Sequence, residues 1–304
     1  MLNKIKIRVE KEIDSYLRAL NKRYCFESFS PALFSHIKGF LSQKGKRIRP
    51  ALFVAAYLGF AKKEAPGLYT SALSTEFLHN FVLIHDDIVD RSDTRRGSPS
   101  MHKMLNKYIG KYKNIKCTGE DLAIVTGDVI YALGIGAFLA INEKAERKER
   151  ALKKLLDAAV YTGTGEFLEL MSPVKDIGSI EKEDIYKLYD LKTGIYSFST
   201  PLVTGAMLAG AKDDDLDRLA RCGIYLGRAF QIRDDLSDIS ADGNNRRTIL
   251  SWYAYNNSRA GAIACAKKEI AVFTARAKAI CNDLKMRRAY KKLLVKYSDE
   301  LAIF

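Results

Sequence analysis

The sequence has little proline and little histidine, with six and four residues respectively in a chain of 304. Its five cysteines are odd in number, widely spaced and without a C-x-x-C pair, which argues against a disulfide framework or a zinc ribbon and favours reduced thiols. Twenty glycines and six prolines exclude a collagen-like or low-complexity chain. Because 47% of the residues are hydrophobic, a disordered protein is excluded as well.

Signals for strands and for secretion are also scarce. Alternating apolar segments bounded by turn residues are nearly absent, and Asp242-Gly243 is the one good turn pair. The first residues, MLNKIKIRVEKEID, lack the apolar core of a secretion signal. Together with the cysteine usage, this start predicts a cytoplasmic protein.

Helical patterns fill most of the chain. Apolar residues recur at helical spacing in the segments 5–20, 32–41, 68–89, 151–160, 216–239 and 263–284. No linker rich in serine and proline and no fixed-period repeat interrupts them. We therefore predict an all-α fold, a single large helical domain over residues 1–304.

One apolar segment, Leu122–Ala140, is long enough to span a bilayer. It contains Asp128, and a carboxylate in the middle of a span costs about 2.5–3.5 kcal/mol or more. A central helix of a large helical bundle, apolar all round, shows the same pattern. We expect this segment to be such a buried helix.

The charge of the chain is strongly positive, with 50 lysines and arginines against 36 aspartates and glutamates, a formal net charge of +14. An excess of this size points to nucleic acid, to an anionic lipid surface or to a phosphorylated small substrate.

A repeated acidic cluster is the strongest chemical signal. The segments HDDIVD and RDDLSD each place aspartates at positions i, i+1 and i+4, in a half-apolar helical context. Because residues four apart share a helix face, each cluster aims two carboxylates at one point. Mg²⁺ relieves the resulting repulsion by binding carboxylates together with water and phosphate oxygens. The candidate metal ligands are Asp86, Asp87, Asp90, Asp234, Asp235 and Asp238.

Basic residues accompany the clusters. Arg95 and Arg96 follow the first cluster, and Gly45-Lys46-Arg47-Ile48-Arg49-Pro50 precedes an apolar helix with proline in its first turn. Arginine forks and helix N-termini both suit phosphate oxygens. His79 lies seven residues before Asp86 and therefore on the same helix face. This combination describes a metal-bridged diphosphate site better than a nucleic-acid groove.

The motifs GKRIRP, HDDIVD…RRG, Gly127-Asp128, Lys192-Thr193 and FQIRDDLSD, in this order, resemble the trans-isoprenyl diphosphate synthase (polyprenyl synthetase) family, most of all its geranylgeranyl diphosphate synthases. The resemblance implies the isoprenoid synthase fold, a helical bundle around a deep central cavity, and a homodimer. It also implies Mg²⁺-dependent, head-to-tail condensation of isopentenyl diphosphate with an allylic diphosphate, assisted by three ions. The expected main product is C20 geranylgeranyl diphosphate, with C15 or longer products as the alternative.

The resemblance also assigns roles to single residues. Arg95 and Lys192 would assist Mg²⁺ in holding the allylic diphosphate, while isopentenyl diphosphate would be held by Lys46, Arg49, His79 and Arg96. Thr193 and Gln231 would stabilise the allylic cation with their oxygen dipoles. Phe81, and Val82 beside it, would form the floor that limits product length, although ideal helix geometry puts Val82 rather than Phe81 on the face of the aspartates.

Two segments depart from the family pattern. The family shows Gly-Gln-x-x-Asp where this chain has Gly165-Glu166-Phe167-Leu168-Glu169, which exchanges an amide for a carboxylate. The loop after the second cluster is shorter than in the family and contains no lysine. We expect Arg246 or Arg247 to replace that lysine in binding diphosphate.

Other classes explain less of the sequence. An HD-type metal phosphohydrolase, suggested by His85-Asp86, needs several histidine ligands and leaves the second cluster without a role. A terpene cyclase has no second diphosphate for the GKRIRP segment to hold. The basic segment 286–296 is expected to be a solvated helix, so we predict no binding of nucleic acid and at most peripheral contact with an anionic membrane.

Overall fold

Helices dominate the computed structural model, which describes residues 1–172, 176–237 and 248–303. The described residues divide into two compact units, the first made of residues 1–54 and 65–142 and the second of residues 55–64 and 143–303. The all-α prediction is confirmed. Whether residues 1–304 fold as a single domain stays a prediction.

The first unit contains five longer helices and one short hairpin. Its elements are α1 (Leu2–Tyr24), the single turn α2 (Phe26–Phe29), α3 (Pro31–Leu41), the start of α4 (Ile48–Phe60), α5 (Leu68–Val89), β1 (Thr94–Arg95), β2 (Ser98–Pro99), α6 (Met101–Ile109) and α7 (Gly119–Phe138). Helix α5 packs along α7, and α1 packs against α5 through residues spaced three and four apart: Ile5, Val9, Ile13, Leu17 and Leu20.

The second unit is built around α11 and α13. Its elements are α8 (Ala145–Met171), a 3₁₀ turn (Ile177–Ser179), α9 (Lys182–Tyr189), a π-helical segment (Asp190–Ser199), α10 (Thr200–Leu208), α11 (Asp213–Ser237), α12 (Ile249–Asn256), α13 (Arg259–Asp283) and α14 (Arg288–Ala302). A buried cluster at one end joins α9, α11, α12 and α13 through side chains such as Ile185, Ile232, Ile249 and Phe273.

The π-helical segment lies against α11 at a very close approach of two backbones. A Cβ atom at Gly227 would stand 2.3 Å from the Cα of Gly194, so glycine is required at position 227 for the two elements to touch. Such wide turns are rare and often occur at functional sites. Here the segment carries Lys192 and Thr193.

The hairpin between α5 and α6 was not foreseen from the sequence. Thr94 pairs with Pro99 and Arg95 with Ser98, and the two turn residues, Arg96 and Gly97, have φ of +54° and +76°. Positive φ at both central residues is the geometry of a two-residue hairpin turn. The strands are too short to show alternation, so only the Arg-Gly pair could have indicated the turn.

Helix α7 corresponds to the long apolar segment and is buried on one face only. Ala123, Ile130 and Ala137 are fully buried, whereas Ile124 and Val125 are exposed. The expectation of a helix buried all round is therefore wrong, because only 44% of the residues in its most apolar window are buried. By length and composition alone, α7 is the single described helix that could cross a membrane.

Candidate functional site

The first acidic cluster lies at the C-terminal end of α5. Asp86 is half-buried, Asp87 is fully buried, and Asp90 is the exposed residue that caps the helix. The C-terminus of a helix already carries partial negative charge, so three carboxylates there create a strong demand for cations. Arg91, with φ of +54°, turns the chain away immediately after the cap.

Arg95 of the hairpin supplies part of that positive charge. Its Nε donates to Asp87 Oδ1 at 2.8 Å, and its Nη2 donates to Asp86 Oδ2 at 3.3 Å. Burial raises the pKa of Asp87 and the arginine opposes that rise. Asp87 Oδ2 is buried and accepts no hydrogen bond from the described residues. Asp87 thus anchors Arg95, which also contacts Asp86.

The basic GKRIRP segment is held by a residue that the sequence did not single out. The Arg47 side chain is completely buried, and its Nε lies 2.9 Å from Glu10 Oε1 and its Nη1 2.5 Å from Glu76 Oε1. It also donates to the backbone carbonyls of Leu41 and Gln43. Arg47 therefore fixes the loop whose other cations, Lys46 and Arg49, were the predicted ligands.

Cations surround His79 on α5. Burial, followed by the charges of Arg49, Arg96, Arg95 and Arg47, lowers the pKa of His79 well below 6.5. Arg96 also lies 3.9 Å from Glu76, the carboxylate that binds Arg47. The predicted isopentenyl diphosphate ligands Arg49, His79 and Arg96 are thus close enough to influence one another, and a bound anion would relieve their repulsion. Lys46, on the same loop, is exposed.

The second acidic cluster lies near the C-terminal end of α11. Asp235 accepts a short hydrogen bond from the Tyr189 hydroxyl, and that hydroxyl in turn accepts from the backbone N–H of Ile249 at 2.8 Å. Burial raises the pKa of Asp235 to about 6. Asp235 thus ties α9 and α12 to α11, whereas Asp234, its neighbour, is half-buried on the adjacent face.

Gln231 connects this cluster to the π-helical segment. Its Oε1 accepts from Thr193 Oγ1 at 2.7 Å, and its Nε2 donates to Asp235 at 3.1 Å. The amide therefore holds a fixed orientation, with its oxygen toward Thr193. The structure thus brings together Thr193, Gln231 and Asp235.

Lys192 has two carboxylate neighbours on α8. Its Nζ lies 3.1 Å from Glu166 and makes a still shorter contact with Glu169, and all three side chains are about one fifth exposed. These are the two acids of the segment that departs from the family pattern. Lys192 is therefore already engaged by the protein itself.

The predicted chain-length residue Phe81 faces the side of α5 that carries His85. The Phe81 ring centroid is 4.6 Å from that of His85 and 5.0 Å from that of Tyr131 on α7. His85 in turn lies 3.8 Å from Asp128. Val82 is half-buried on α5. Phe81 is thus part of an aromatic cluster between α5 and α7.

Three predicted site residues, Asp238, Arg246 and Arg247, lie outside the described residues, as does the Asp242-Gly243 turn. The expectations about them stay predictions. Sequence reasoning also missed the supports: Glu10, Glu76, Arg47 and Tyr189. Only Arg47 carried a signal, its place inside a basic motif, because the partners of a buried ion pair are distant in the sequence.

The donor set at both clusters suits a hard divalent cation. Carboxylate oxygens are the available donors, and the second aspartate of each cluster is held by its own partners, Asp87 by Arg95 and Asp235 by Tyr189 and Gln231. Within the described residues no three potential ligands converge on one point. An ion here would be held by one or two carboxylates, with substrate and water oxygens completing the octahedron that Mg²⁺ requires.

Sequence comparison identifies relatives over most of the chain. Geranylfarnesyl diphosphate synthase of Aeropyrum pernix is 31% identical over 222 residues, 71% of this chain and 63% of that protein. Geranylgeranyl diphosphate synthase of Cyanophora paradoxa is 33% identical over 218 residues, 68% of this chain and 65% of that protein. The chain thus matches somewhat less than two thirds of the length of these curated relatives.

Structural comparison agrees on the fold. Geranylgeranyl pyrophosphate synthase of Corynebacterium glutamicum, solved with isoprenyl diphosphate and magnesium, has a TM-score of 0.86 at 23% identity, over 99% of each chain. The family model described as polyprenyl synthetase matches residues 30–249, which include the described members of both acidic clusters. The chain therefore belongs to the polyprenyl synthetase family.

Proposed function

We propose that the chain is a Mg²⁺-dependent trans-prenyltransferase that condenses isopentenyl diphosphate with an allylic diphosphate, head to tail. The observation that carries the proposal is the common construction of the two acidic clusters. In each, the second aspartate is tied to the protein, Asp87 to Arg95 and Asp235 to Tyr189 and Gln231. The first aspartate of each cluster, Asp86 or Asp234, is half-buried beside it and would bind the metal.

When bound, Mg²⁺ would supply positive charge that stabilises the leaving diphosphate as the allylic carbon–oxygen bond ionises. Asp86, Asp90 and Asp234 would hold the ions, three in number by resemblance to the family, and Asp238 would complete the second cluster. Asp87 and Asp235, also candidate ligands by sequence, would act mainly by orienting each cluster through Arg95 and Tyr189. Arg95 and Lys192 add fixed positive charge to the diphosphate, as Arg246 or Arg247 would from the loop after α11.

The cationic intermediate needs oxygen dipoles that are already oriented, because such groups require no reorganisation during the reaction. Gln231 meets this condition, since Thr193 and Asp235 fix both ends of its amide. Thr193 adds its own hydroxyl oxygen. These two residues stabilise the cation until the double bond of isopentenyl diphosphate attacks it and a proton is lost.

Isopentenyl diphosphate would bind to the cationic group Lys46, Arg49, His79 and Arg96. The neutral imidazole of His79 can donate one hydrogen bond while the arginines supply charge. Through its ion pairs with Glu10 and Glu76, Arg47 holds the GKRIRP segment that carries Lys46 and Arg49. Binding of the second diphosphate is what separates a condensing enzyme from a cyclase.

We further propose a C20 product, geranylgeranyl diphosphate. The support is the Phe81 ring, stacked between His85 and Tyr131 five residues before Asp86. The names of the relatives include both C20 and C25 synthases, and chromatography of the product distinguishes the two lengths.

A homodimer is proposed from the exposed face of α8. Leu156, Val160, Phe167 and Met171 are all exposed and share one side of the helix. An apolar stripe of this length is typical of a surface that another copy covers. Replacing Val160 and Phe167 with aspartate should give a monomer in light scattering, and an unchanged mass would contradict this.

We also propose that the enzyme is cytoplasmic and contacts membranes at most peripherally.

The proposed activity is tested by supplying Mg²⁺, isopentenyl diphosphate and an allylic diphosphate and following the release of diphosphate together with the prenyl product. Product formation that stops on chelation of Mg²⁺ supports the proposal. Release of phosphate from nucleotides without isopentenyl diphosphate would instead identify a hydrolase.

A further inference from the structure

A cleft in the second unit has no part in the proposed reaction. It has a volume of about 510 Å³ and is bordered by side chains of α9, α11, α12 and α13. Its walls combine cations with aromatic rings, among them Lys268, Arg276, Tyr186 and Phe273. Such a combination of charged and apolar groups in a concave surface is typical of small-molecule sites.

The cations of the cleft differ in whether the protein neutralises them. Arg228 forms a two-pronged ion pair with Asp190, at 2.8 and 2.7 Å, and Lys182 is paired with Glu269. Lys268 and Arg276 make no ion pair with any residue of the described chain, although the Arg276 guanidinium lies 5.7 Å from the Tyr225 ring. Glu183, which also borders the cleft, lies 3.9 Å from Arg228 and not beside these two cations, so the cleft keeps an excess of positive charge at Lys268 and Arg276.

The two unneutralised cations share one face of α13. Lys268, Val272 and Arg276 follow at intervals of four residues, so they lie in a row with the apolar side chain in the middle. Their Cα atoms are about 12 Å apart along the axis, a distance that two long side chains can close around one anion. Val272 and Phe273 then form an apolar wall beside the charge.

An independent observation comes from Tyr186 on α9. Its side chain is only 4% exposed and its hydroxyl forms no hydrogen bond of normal geometry with a described residue, although burial and then the Glu269 carboxylate beside it raise the pKa of Tyr186. The nearby carboxylate of Glu269 is already occupied by Lys182 and by the Tyr253 hydroxyl at 2.6 Å. A buried hydroxyl without a partner is unfavourable, and a ligand oxygen in the cleft would relieve this.

We propose that this cleft binds a small phosphate-bearing molecule with an apolar or planar body. Lys268 and Arg276 would hold the phosphate, the Tyr186 hydroxyl would donate a hydrogen bond to the ligand, and Val272 and Phe273 would contact its body. Phosphate fits better than carboxylate because its oxygens point in several directions and can meet cations from both ends of the row.

The cleft is also connected to the candidate active site. Arg228 borders the cleft and holds Asp190, the first residue of the π-helical segment that carries Lys192 and Thr193. An anion in the cleft attracts Arg228 and weakens its pair with Asp190. The ligand would then change the position of Lys192, so it acts as an effector. This coupling rests on the proposed function, whereas binding itself does not.

Binding is tested by calorimetry on the full chain in buffer with EDTA and without Mg²⁺. The probes are inorganic phosphate, ADP and geranyl monophosphate. We expect ADP or geranyl monophosphate to bind more tightly than inorganic phosphate, with a Kd below about 1 mM. Tighter binding of ADP would indicate that the ligand has a planar body, and tighter binding of geranyl monophosphate would indicate an aliphatic one. No binding in this range, or no preference over inorganic phosphate, would overturn the proposal.

Charge variants locate the site. The double variant Lys268→Glu with Arg276→Glu should weaken the tighter probe at least about tenfold, a loss of roughly 1.4 kcal/mol. Lys267→Glu is the matched control, since it makes the same change of charge one residue away, on a different side of α13, and should have little effect. Circular dichroism confirms that each variant is folded. Equal affinities in the double variant and the wild type would place the probe elsewhere and contradict the proposal.

The variant Tyr186→Phe tests whether the Tyr186 hydroxyl contacts the ligand or only supports the fold. Removing an unpartnered buried hydroxyl should raise the melting temperature of the free protein and at the same time weaken the tighter probe severalfold. A lower melting temperature with unchanged affinity would mean that the hydroxyl serves Glu269, and the ligand contact would be refuted.

The coupling is read from steady-state kinetics. The tighter probe should change the KM for the allylic diphosphate in the wild type and not in the Lys268→Glu, Arg276→Glu variant, whose basal activity should be unchanged. An equal effect on both proteins would show competition at the active site. If the chain had no prenyltransferase activity, the proposed function would fail while the calorimetry still decided whether the cleft binds phosphate.

Discussion

Lys192 Nζ lies 3.1 Å from Glu166, at a position where the family pattern has an amide. Glu169, one turn further along α8, contacts the same ammonium group. Two carboxylates thus compete with a substrate diphosphate for one lysine. The departure from the family pattern therefore has a definite physical effect: it lowers the share of the Lys192 charge that is available to a ligand.

Replacing Glu166 with glutamine should free Lys192. The KM for the allylic diphosphate should fall about three- to tenfold, because loss of a partly exposed ion pair of order 1 kcal/mol corresponds to roughly fivefold in binding. Steady-state kinetics with varied allylic substrate measures this. Glu149→Gln, an exposed substitution on the same helix, is the control and should leave KM unchanged. An unchanged or higher KM in Glu166→Gln would show that the glutamate itself assists binding.

The two neighbouring aspartates of the first cluster should respond differently to substitution. Asp86→Asn should lower kcat about 10²–10³-fold, the usual effect of removing one group that stabilises developing charge, with little change in stability. Asp87→Asn should reduce the free energy of unfolding by about 1–3 kcal/mol, because Arg95 loses its buried partner. Urea denaturation and kinetics on both variants separate the roles. Equal stability of the two variants would contradict the assignment of Asp87 as an anchor.

Arg47 should be a structural residue of the basic loop rather than a substrate ligand. Arg47→Met leaves Glu10 and Glu76 without their partner and should reduce the free energy of unfolding by about 3–5 kcal/mol. Arg49→Met, two residues away, should preserve stability and raise the KM for isopentenyl diphosphate. The opposite pattern, with stability lost at Arg49 and kept at Arg47, would reverse the two assignments.

How far the sequence predicts this molecule depends on the range of the interactions. The helix from residue 68 to 89 has the bounds that its pattern predicted, because helical spacing and capping are local properties. The resemblance assigned Thr193 and Gln231 a common role, and the two are hydrogen-bonded, but the bond from Gln231 to Asp235 was not foreseen. The Arg47–Glu76 pair, the Tyr189–Asp235 bond and the exposed face of α7 depend on which elements pack together, and no local pattern encodes that.

The lowered pKa of His79 predicts a pH dependence of stability. The unfolded chain takes up a proton at this residue below about pH 6.5, while the native state keeps the ring neutral. The free energy of unfolding should therefore fall as the pH decreases below 6.5, by at most about 1.4 kcal/mol per pH unit from this group. His79→Gln should have a flatter profile than the wild type, with His36→Gln as the control. Identical profiles for His79→Gln and the wild type would contradict a neutral His79.

Product length should depend on the Phe81 ring. Phe81→Ser removes the ring that lies between His85 and Tyr131 and should extend the main product beyond C20, because each isoprene unit needs about one helical turn of extra depth. Val82→Ala distinguishes the neighbouring position and should leave the length unchanged. Chromatography after dephosphorylation measures both. Longer products from Val82→Ala alone would place the floor on the face of the aspartates.

The central claim is that the two acidic clusters of this chain serve a prenyl condensation with a C20 product. The most direct measurement incubates the full chain with Mg²⁺, isopentenyl diphosphate and, in turn, the C5, C10 and C15 allylic diphosphates, and determines product lengths by chromatography. We expect geranylgeranyl diphosphate as the main product, absent with EDTA and strongly reduced in Asp86→Asn. No condensation with any primer would contradict the function, and a main product of C15 or C25 would contradict the assigned length.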